Sequence, residues 1–439
     1  MYDLVILGAT GYTGLLTAEH VASNLPSSLK WALAGRSKAK LQAVADECKR
    51  LSPTMSTPGV FSPLVPLDHV DPSAERVNVG GKELELVNVD DAGEMDALVR
   101  KTSLVITTVG PYFRFGEAVV RACAQAGTHY VDCTGETPWV ASMIKKYEGA
   151  ARQSGAILVP CNGVESAATD LITWSLVSFV KEKLGVGVED VVLSIHKSSI
   201  VLSGGTVATA MGVFDHYSLS ELMSNRKPYA LSPVPHPERP RPVSSLFNTL
   251  LGIRHVPDLG LQATSLQAAV DAPVIERTWG LLSQIPSRKA QFYGPKFNWI
   301  AYQKPRNWLS GIAMHWVLAV GTVIIALAAP VRTLIKKLAH EPGQGLSKDG
   351  MAREELDYRG TAVPDAPSGP VKKRAYCRAQ YRGSSYQATA LFLAHAAQTM
   401  LEDKMELPGG FYTPACLGKG YVDRVNRAGF KIDVKMLDD

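Results

Sequence analysis

Leu4-Val5-Ile6-Leu7-Gly8-Ala9-Thr10-Gly11-Tyr12-Thr13-Gly14 is the stretch from which the rest of the chain can be read. An apolar run ends at Gly8, turns through Thr10 and Gly11, and passes at Tyr12 into a helical pattern. The reading is strand, tight turn, helix. Glycines in such a turn let the backbone approach a pyrophosphate, and the unsatisfied N–H groups at the helix start favour its charge. The spacing is G-x-x-G-x-x-G rather than the more familiar G-x-G-x-x-G, and three glycines alone are a weak sign. The context strengthens it, because the turn follows a strand and opens a helix. Gly8, Thr10, Gly11, Tyr12, Thr13 and Gly14 are therefore read as dinucleotide-binding. The plainer alternative is a glycine-rich turn with no ligand.

The next strand ends in Ala34-Gly35-Arg36-Ser37. Sites selective for NAD place an acid near this point, where it binds the ribose hydroxyls. Here the strand end carries Arg36 and Ser37, with Lys38 and Lys40 behind them. A guanidinium at this point can bind a 2′-phosphate bidentately. The cofactor expected is NADP(H), with Arg36, Ser37 and Lys40 around the phosphate. The plainer reading of Arg36 is a solvated residue at a helix start, with Ser37 as the N-cap.

The 439 residues carry a net charge of +5 with no polybasic run, which gives no sign of nucleic acid as a partner. Six scattered cysteines, with no C-x-x-C pair and no metal spacing, read as reduced core thiols. No metal site is expected. Strand one begins almost at the first residue, so no signal peptide is read.

Taken in order, helices are expected at Tyr12–Asn24 and Ser37–Arg50. A proline-rich insertion follows from Leu51 to Gly81, then a strand at Glu83–Val89. Asp90, just after that strand, is placed where dinucleotide folds contact adenine. The strand Ser103–Thr108 leads into Val109-Gly110-Pro111-Tyr112, and Val109, Gly110 and Pro111 are placed at the nicotinamide side of the crevice. A helix closed by Gly127, a strand at His129–Cys133, a helix at Trp139–Ser154 and a strand at Ala156–Val159 complete an alternation that implies a parallel, doubly wound sheet. A helix from Asp170 to Lys183 and a strand from Asp190 to Lys197 come next. Pro228, Pro233, Pro235, Pro237, Pro240 and Pro242 mark an irregular segment.

Several of these stretches together resemble the saccharopine dehydrogenase-like oxidoreductases, a branch distinct from the lysine-pathway enzymes proper and related to trans-acting enoyl reductases. The residues that carry the resemblance are Gly8–Gly14, Ala34-Gly35-Arg36-Ser37, Val109-Gly110-Pro111-Tyr112, Tyr130-Val131-Asp132-Cys133-Thr134-Gly135-Glu136, Ser203-Gly204-Gly205-Thr206 and Gly409-Gly410-Phe411-Tyr412-Thr413-Pro414-Ala415. They run in the expected order through nearly the whole chain. One segment departs: where relatives carry G-F-D-S-x-P-x-D-L, this chain has Gly163-Val164-Glu165-Ser166-Ala167-Ala168-Thr169-Asp170-Leu171, and Asn162 precedes it. The substrate pocket is therefore expected to be reshaped.

The resemblance implies an α/β fold: a Rossmann-type doubly wound parallel sheet over residues 1–160, and a second α+β domain over 161–307 and 371–439 that closes on the cofactor. It implies hydride transfer with NADP(H). Of the residues at strand ends, Tyr112, Asp132 and Asn162 are the catalytic candidates, with Tyr112 placed to give a proton. Gly205 and Thr206 are candidates for holding a substrate anion at a helix start. Each has a plain structural reading beside it: a packing tyrosine, a turn acid, a helix cap.

Trp308–Ala329 is apolar throughout apart from His315, is flanked by Pro330, Arg332, Lys336 and Lys337, and is long enough to cross a hydrocarbon core. Trp308 and Trp316 fit interfacial anchoring. The competing reading is a buried core helix. A single crossing would separate the C-terminal motifs from the cofactor domain, so 308–340 is read as a monotopic or re-entrant anchor, with 341–370 as a mobile loop. The resemblance points the same way, since relatives are linked to lipid droplets. The expected setting is a cytosol-facing membrane surface, a lipid droplet or the endoplasmic reticulum, with mitochondrial or plasma membranes as alternatives. The expected substrate is small and lipid-like or acyl, and a homo-oligomer is compatible with the sequence. Two other readings stand beside this one: a saccharopine-type amino-acid dehydrogenase, and a cofactor-binding scaffold at lipid droplets that does not catalyse.

Overall fold

The structure, a computed structural model, describes residues 1–55, 58–61, 91–198, 203–237, 245–338, 345–366 and 373–437. The expected strand Glu83–Val89 and Asp90 lie outside them. The first sheet is built from β1 (Tyr2–Leu7), β2 (Trp31–Ala34), β3 (Gly59–Phe61), β4 (Thr102–Thr107), β5 (His129–Asp132) and β6 (Ile157–Val159). Its spatial order is β3-β2-β1-β4-β5-β6 and every pairing is parallel. The strands are short and apolar because both faces are covered: Leu4, Val5, Ile6 and Leu33 have no exposed surface. β3 falls inside the stretch read as an insertion. Three residues between prolines are too few for a periodic pattern, and their pairing with β2 decides the strand.

The second sheet comprises β7 (Val188–Lys197), β8 (Ile253–Val256), β9 (Gly260–Ala263), β10 (Asn298–Gln303), β11 (Glu355–Pro364), β12 (Arg374–Arg382) and β14 (Lys431–Leu437), in the order β14-β12-β11-β7-β10-β9-β8. It is antiparallel except where β10 lies parallel to β7. β11 corrects one expectation. It occupies ten residues of the segment 341–370 that was read as a mobile loop, and it sits in the middle of the sheet between β7 and β12. Glycine and proline at 360 and 364 disguise it: Gly360 is needed because a Cβ there would lie 2.3 Å from Leu193.

The two sheets share one apolar core. β13 (Gly410–Phe411), from the C-terminal part of the chain, pairs parallel with β6 and extends the first sheet. The helix Ser385–Glu402 has an amphipathic look in sequence, yet Ala388–Ala397 is buried without interruption. It packs against the helix Tyr12–Asn24 and β4 and β5 on one side, and against the helix Lys419–Arg427 on the other. Apolar character all round therefore marks an interior helix here.

The segment Trp308–Leu327 is helical, and a second helix, Ala329–Leu338, follows it. It is not a core helix. Gly311 is its one buried residue, packed against Ile253 and Pro305, while Val317 (70%) and Leu327 (71%) are largely exposed. Among the described residues it is the one helix long and apolar enough to cross a membrane.

Candidate active site

The carboxyl end of β1 turns through Gly8, whose φ of +86° is the left-handed region that favours glycine. Gly14 sits so close to this turn that a Cβ on it would lie 2.2 Å from the Gly8 carbonyl oxygen and 2.7 Å from Thr108 Oγ1. Thr108 in turn donates to the carbonyls of Leu7 and Gly8 (3.2 Å each), which ties the end of β4 to the turn. Gly11 is different: among the described residues only the Gly8 carbonyl, at 3.3 Å, lies beside its missing Cβ. Gly11 is also the N-cap of the helix Tyr12–Asn24 and supplies no side chain to cap it. An open glycine beside an uncapped helix start is what a pyrophosphate needs. The residues present fit a bound NADP(H).

At the end of β2, Arg36 is exposed, and no described residue pairs with it. Ser37 caps the following helix, accepting from the Lys40 N–H at 3.5 Å. The Ser37 hydroxyl thus has a structural task, and the Lys40 side chain is exposed beside Arg36. Among the described residues no acid stands at this strand end.

The ends of β4 and β5 form the other half of the crevice. Val109, Gly110 and Pro111 follow β4, with a cis peptide between Gly110 and Pro111. Gly110 is exposed, and a Cβ on it would lie 3.5 Å from Thr209 Oγ1 in the helix Gly204–His216. That helix leans over this end of the sheet, with Phe113 stacked on His216 at 4.7 Å. Over β5, the first turn of the helix Gln267–Gln284 does the same: a Cβ on Gly135 would meet Val270 at 3.5 Å. Two helices of the second domain therefore roof the crevice at the end where the nicotinamide lies in such folds.

The three catalytic candidates are brought close to this crevice, but their functional atoms face the protein. Tyr112 is 5% exposed, and its hydroxyl donates to the Thr107 carbonyl (3.0 Å) and meets Cys133 Sγ (3.4 Å). Burial drives its pKa well above the usual value. Its hydroxyl, expected to give a proton to substrate, is turned into the core here. Asp132, with no exposed surface, accepts from the Tyr130 hydroxyl (2.6 Å) and from the N–H groups of Thr134 and Cys161 (2.9 Å each). Burial pushes it up to about 6. Asn162 donates to the Val159 carbonyl (2.7 Å) and accepts from Tyr421 (3.3 Å). Asp132 and Asn162 thus fasten the loops that follow β5 and β6. Glu136 is of the same kind: its two oxygens accept the N–H groups of Tyr112 (2.8 Å) and Phe113 (2.7 Å).

Gly205 and Thr206 lie where the helix Gly204–His216 begins, but that start is already capped. The Ser203 hydroxyl accepts from the Thr206 N–H (3.3 Å), and Thr206 Oγ1 pairs with the Tyr386 hydroxyl (2.9 Å). Tyr386 also accepts from the Ser203 N–H (2.6 Å), and its ring meets Tyr12 edge-on at 4.9 Å. It therefore pins the Ser203 turn to the dinucleotide turn, a link between residues too far apart in the chain for any local pattern to reveal.

Sequence reasoning also missed Glu165, Gln267 and Asp271. Glu165 follows β6, its Oε2 lies 2.9 Å from where a Gly163 Cβ would be, and the Cys133 carbonyl is 3.2 Å from the same point. Gln267 donates to the Glu165 carbonyl (3.0 Å) and to Asp271 Oδ2 (3.2 Å). Asp271 is fully buried and Oδ1 lacks a partner among the described residues. Glu165 was visible as a departure from the family pattern; the other two sit in a helix whose pattern is broken by Pro273. The charges that act most strongly on Cys133, Asp271 and Tyr358 here are acids, with no arginine or lysine among them.

Residues 4–159 match the family described as saccharopine dehydrogenase NADP binding domain. The trans-acting enoyl reductase of Mycobacterium leprae is 26% identical, with 99% of this chain and 98% of that protein aligned. A Mycobacterium tuberculosis protein that carries the same name provisionally is 28% identical over 99% of this chain and 98% of its own length. Among solved structures, apo saccharopine dehydrogenase of Saccharomyces cerevisiae superimposes with a TM-score of 0.54 at 10% identity, covering 100% of both chains. Homospermidine synthase of Legionella pneumophila, solved with NAD, gives 0.52 at 10% identity, covering 100% of this chain and 92% of that one. At such identities these two speak for the fold alone. Residues 4–159 thus resemble an NADP-binding oxidoreductase domain, and the chain is similar along its whole length to proteins named trans-acting enoyl reductase.

Proposed function

We propose that the chain reduces a carbon–carbon double bond of an acyl, lipid-like substrate with NADPH, and does so at a lipid surface. The observation that carries the substrate class is the roofed end of the crevice. Glycines, Cys133, Val270 and uncompensated acids meet there, and no arginine or lysine is among the groups that act most on them. A dicarboxylic amino acid needs cationic clamps, so the acid-lined end supports a neutral acyl chain over a saccharopine-type substrate. The relatives named as enoyl reductases, aligned along the whole chain, support the same reaction class. Bound NADPH supplies a hydride, and the protein supplies position and electrostatics. The open Gly11 and the uncapped helix start hold the pyrophosphate, Arg36 and Lys40 take the 2′-phosphate, and Gly110 leaves room for the ring.

The lipid surface is supported by the exposed apolar face. Trp308, Trp316, Val317, Val320, Val323, Ile324 and Leu327 stand out from the body, and Leu246 (76%) and Phe247 (68%) are exposed on a second short helix. Exposed apolar surface on this scale marks an interaction site. Lys337, exposed on the helix that follows, suits anionic headgroups.

The test is a titration of purified protein with NADPH and NADH, then turnover with a long-chain 2-enoyl thioester, with and without vesicles containing anionic lipid. NADPH binding tighter than NADH binding, with reduction of the thioester, is expected. Bound NADPH with no turnover of any enoyl lipid would favour a scaffold. No flotation with vesicles would sink the surface reading.

A further inference from the structure

We propose that Glu165 is a catalytic residue, the proton donor that completes reduction of the acyl double bond, a role that rests on the reductase reading above. Every other described acid at this end of the first sheet is buried, and all but Asp271 have both oxygens committed to the fold. Asp132 holds three donors, and Glu136 holds two backbone N–H groups. Asp170 holds the Thr278 hydroxyl (2.7 Å) and the Ala415 N–H (2.9 Å). Asp271 is fully buried behind Gln267.

Glu165 alone among them combines solvent exposure with a position in the crevice. Its Oε2 lies against Gly163 and on the same side as the Cys133 carbonyl, beyond the carboxyl ends of β5 and β6. Among the described residues no side chain donates to its carboxylate, and the donor that acts on it is its own backbone N–H. The titratable groups that face it are Cys133 from the end of β5, Asp271 from the helix Gln267–Gln284 and Tyr358 from β11. None is a cation. The walls around it desolvate the carboxylate, which raises its pKa above the ordinary glutamate value and keeps a larger share protonated near neutrality. Gln267 fixes the loop by binding the Glu165 carbonyl, so the carboxyl group is held through its own backbone and by no other side chain among the described residues.

The substrate β-carbon gains a hydride with its electron pair, and NADPH leaves as NADP⁺. The electron pair of the double bond moves to the α-carbon and acyl oxygen. The O–H bond of Glu165 breaks, its proton forms the new C–H bond at the α-carbon, and water returns a proton to the carboxylate.

The experiment compares the full-length wild type with Glu165→Gln and Glu165→Asp, using NADPH and the N-acetylcysteamine thioester of dodec-2-enoic acid. Glu165→Gln is expected to bind NADPH with unchanged affinity, to lose kcat by about 100-fold or more, as loss of a general acid does, and to lose the alkaline limb of the pH profile. Glu165→Asp should restore part of the rate. A second readout needs no turnover: in protein labelled with carboxyl-¹³C glutamate, the resonance missing from Glu165→Gln should titrate above the ordinary range and shift when NADP⁺ is added. A resonance that titrates in the ordinary range and ignores NADP⁺ overturns the proposal. If the wild type reduces the thioester and Glu165→Gln is as fast with the same profile, the donor role alone falls. If the wild type binds NADPH but leaves the thioester untouched, the enoyl reading falls and the donor role goes with it.

Discussion

Asp215 and Arg332 meet at 2.7 Å, carboxylate Oδ1 to guanidinium Nε, and this pair joins the helix that begins at the crevice to the helix that follows the exposed apolar one. Lys336 reaches the other oxygen of Asp215 at 2.7 Å. Arg332 also donates to the carbonyls of Ile325 (2.7 Å) and Ala326 (3.1 Å), so it closes the C-terminal end of the apolar helix as well. Asp215→Asn would leave the buried guanidinium with carbonyls only. Because Asp215 itself is half exposed, the expected loss is modest, about 1 kcal/mol, read as a lower midpoint in urea.

Arg36→Asp reverses the charge offered to a 2′-phosphate. A charge-assisted pair contributes about 1.5–3 kcal/mol, so NADPH affinity should fall by about 10- to 100-fold while NADH affinity holds or rises. Fluorescence titration with the two nucleotides separates these outcomes. Equal loss for both would mean that Arg36 acts on the fold and not on the phosphate.

Gly14→Ala places a Cβ against the Gly8 backbone as well as Thr108 Oγ1, and the backbone cannot step aside as a side chain can, so the turn must open. Overpacking of this kind costs about 1–3 kcal/mol. Both nucleotides should bind weakly, and thermal unfolding should come earlier. The same change at Gly11, where the space is open, should spare stability and cost binding; calorimetry on the two variants tests the contrast.

His20 and His395 face each other, Nε2 to Nε2 at 3.3 Å, across the contact between the helices Tyr12–Asn24 and Ser385–Glu402. Burial, then the neighbouring ring, pushes His20 down to about 3, and burial lowers His395 too. A depressed histidine pKa means that the unfolded chain binds the proton first. Stability from the neutral pair is fully present above about pH 6.5 and is lost as pH falls toward about 3, by at most about 1.4 kcal/mol per pH unit for His20. Asp132 and Asp170, pushed up by burial to about 6 and about 7, work the other way: they favour the folded state as acid is added. The clean measurement is therefore a difference. The pH slope of stability for the wild type, minus that for His20→Gln, should be positive between pH 4 and 6.

The first sheet was legible because its signals are local. Val5 and Ile6 leading into Gly8, and Ser37 capping its helix, are patterns of neighbours. What was not legible depends on distance along the chain. Tyr386 joins Ser203 and touches Tyr12; β11 becomes a strand because β7 and β12 flank it; β3 exists because β2 accepts it. The orientation of the catalytic candidates was hidden for a related reason. Tyr112, Asp132 and Asn162 stand where a sheet presents its chemistry, but sequence cannot say which way a side chain turns, and all three turn inward. Glu165, two residues past a glycine in an altered motif, turns outward.

β13 has a consequence for the order of events at the ribosome. The cofactor domain begins at residue 4, yet its edge strand β6 waits for Gly410 and Phe411, and the buried helix Ser385–Glu402 that covers its face arrives almost as late. For most of synthesis, then, the first sheet stands with an unpaired edge and an uncovered apolar face, the condition in which chains are most exposed to aggregation. A nascent protein of this design needs shelter until its last tenth has emerged, and a fragment cut at the visible domain boundary would carry that exposure permanently.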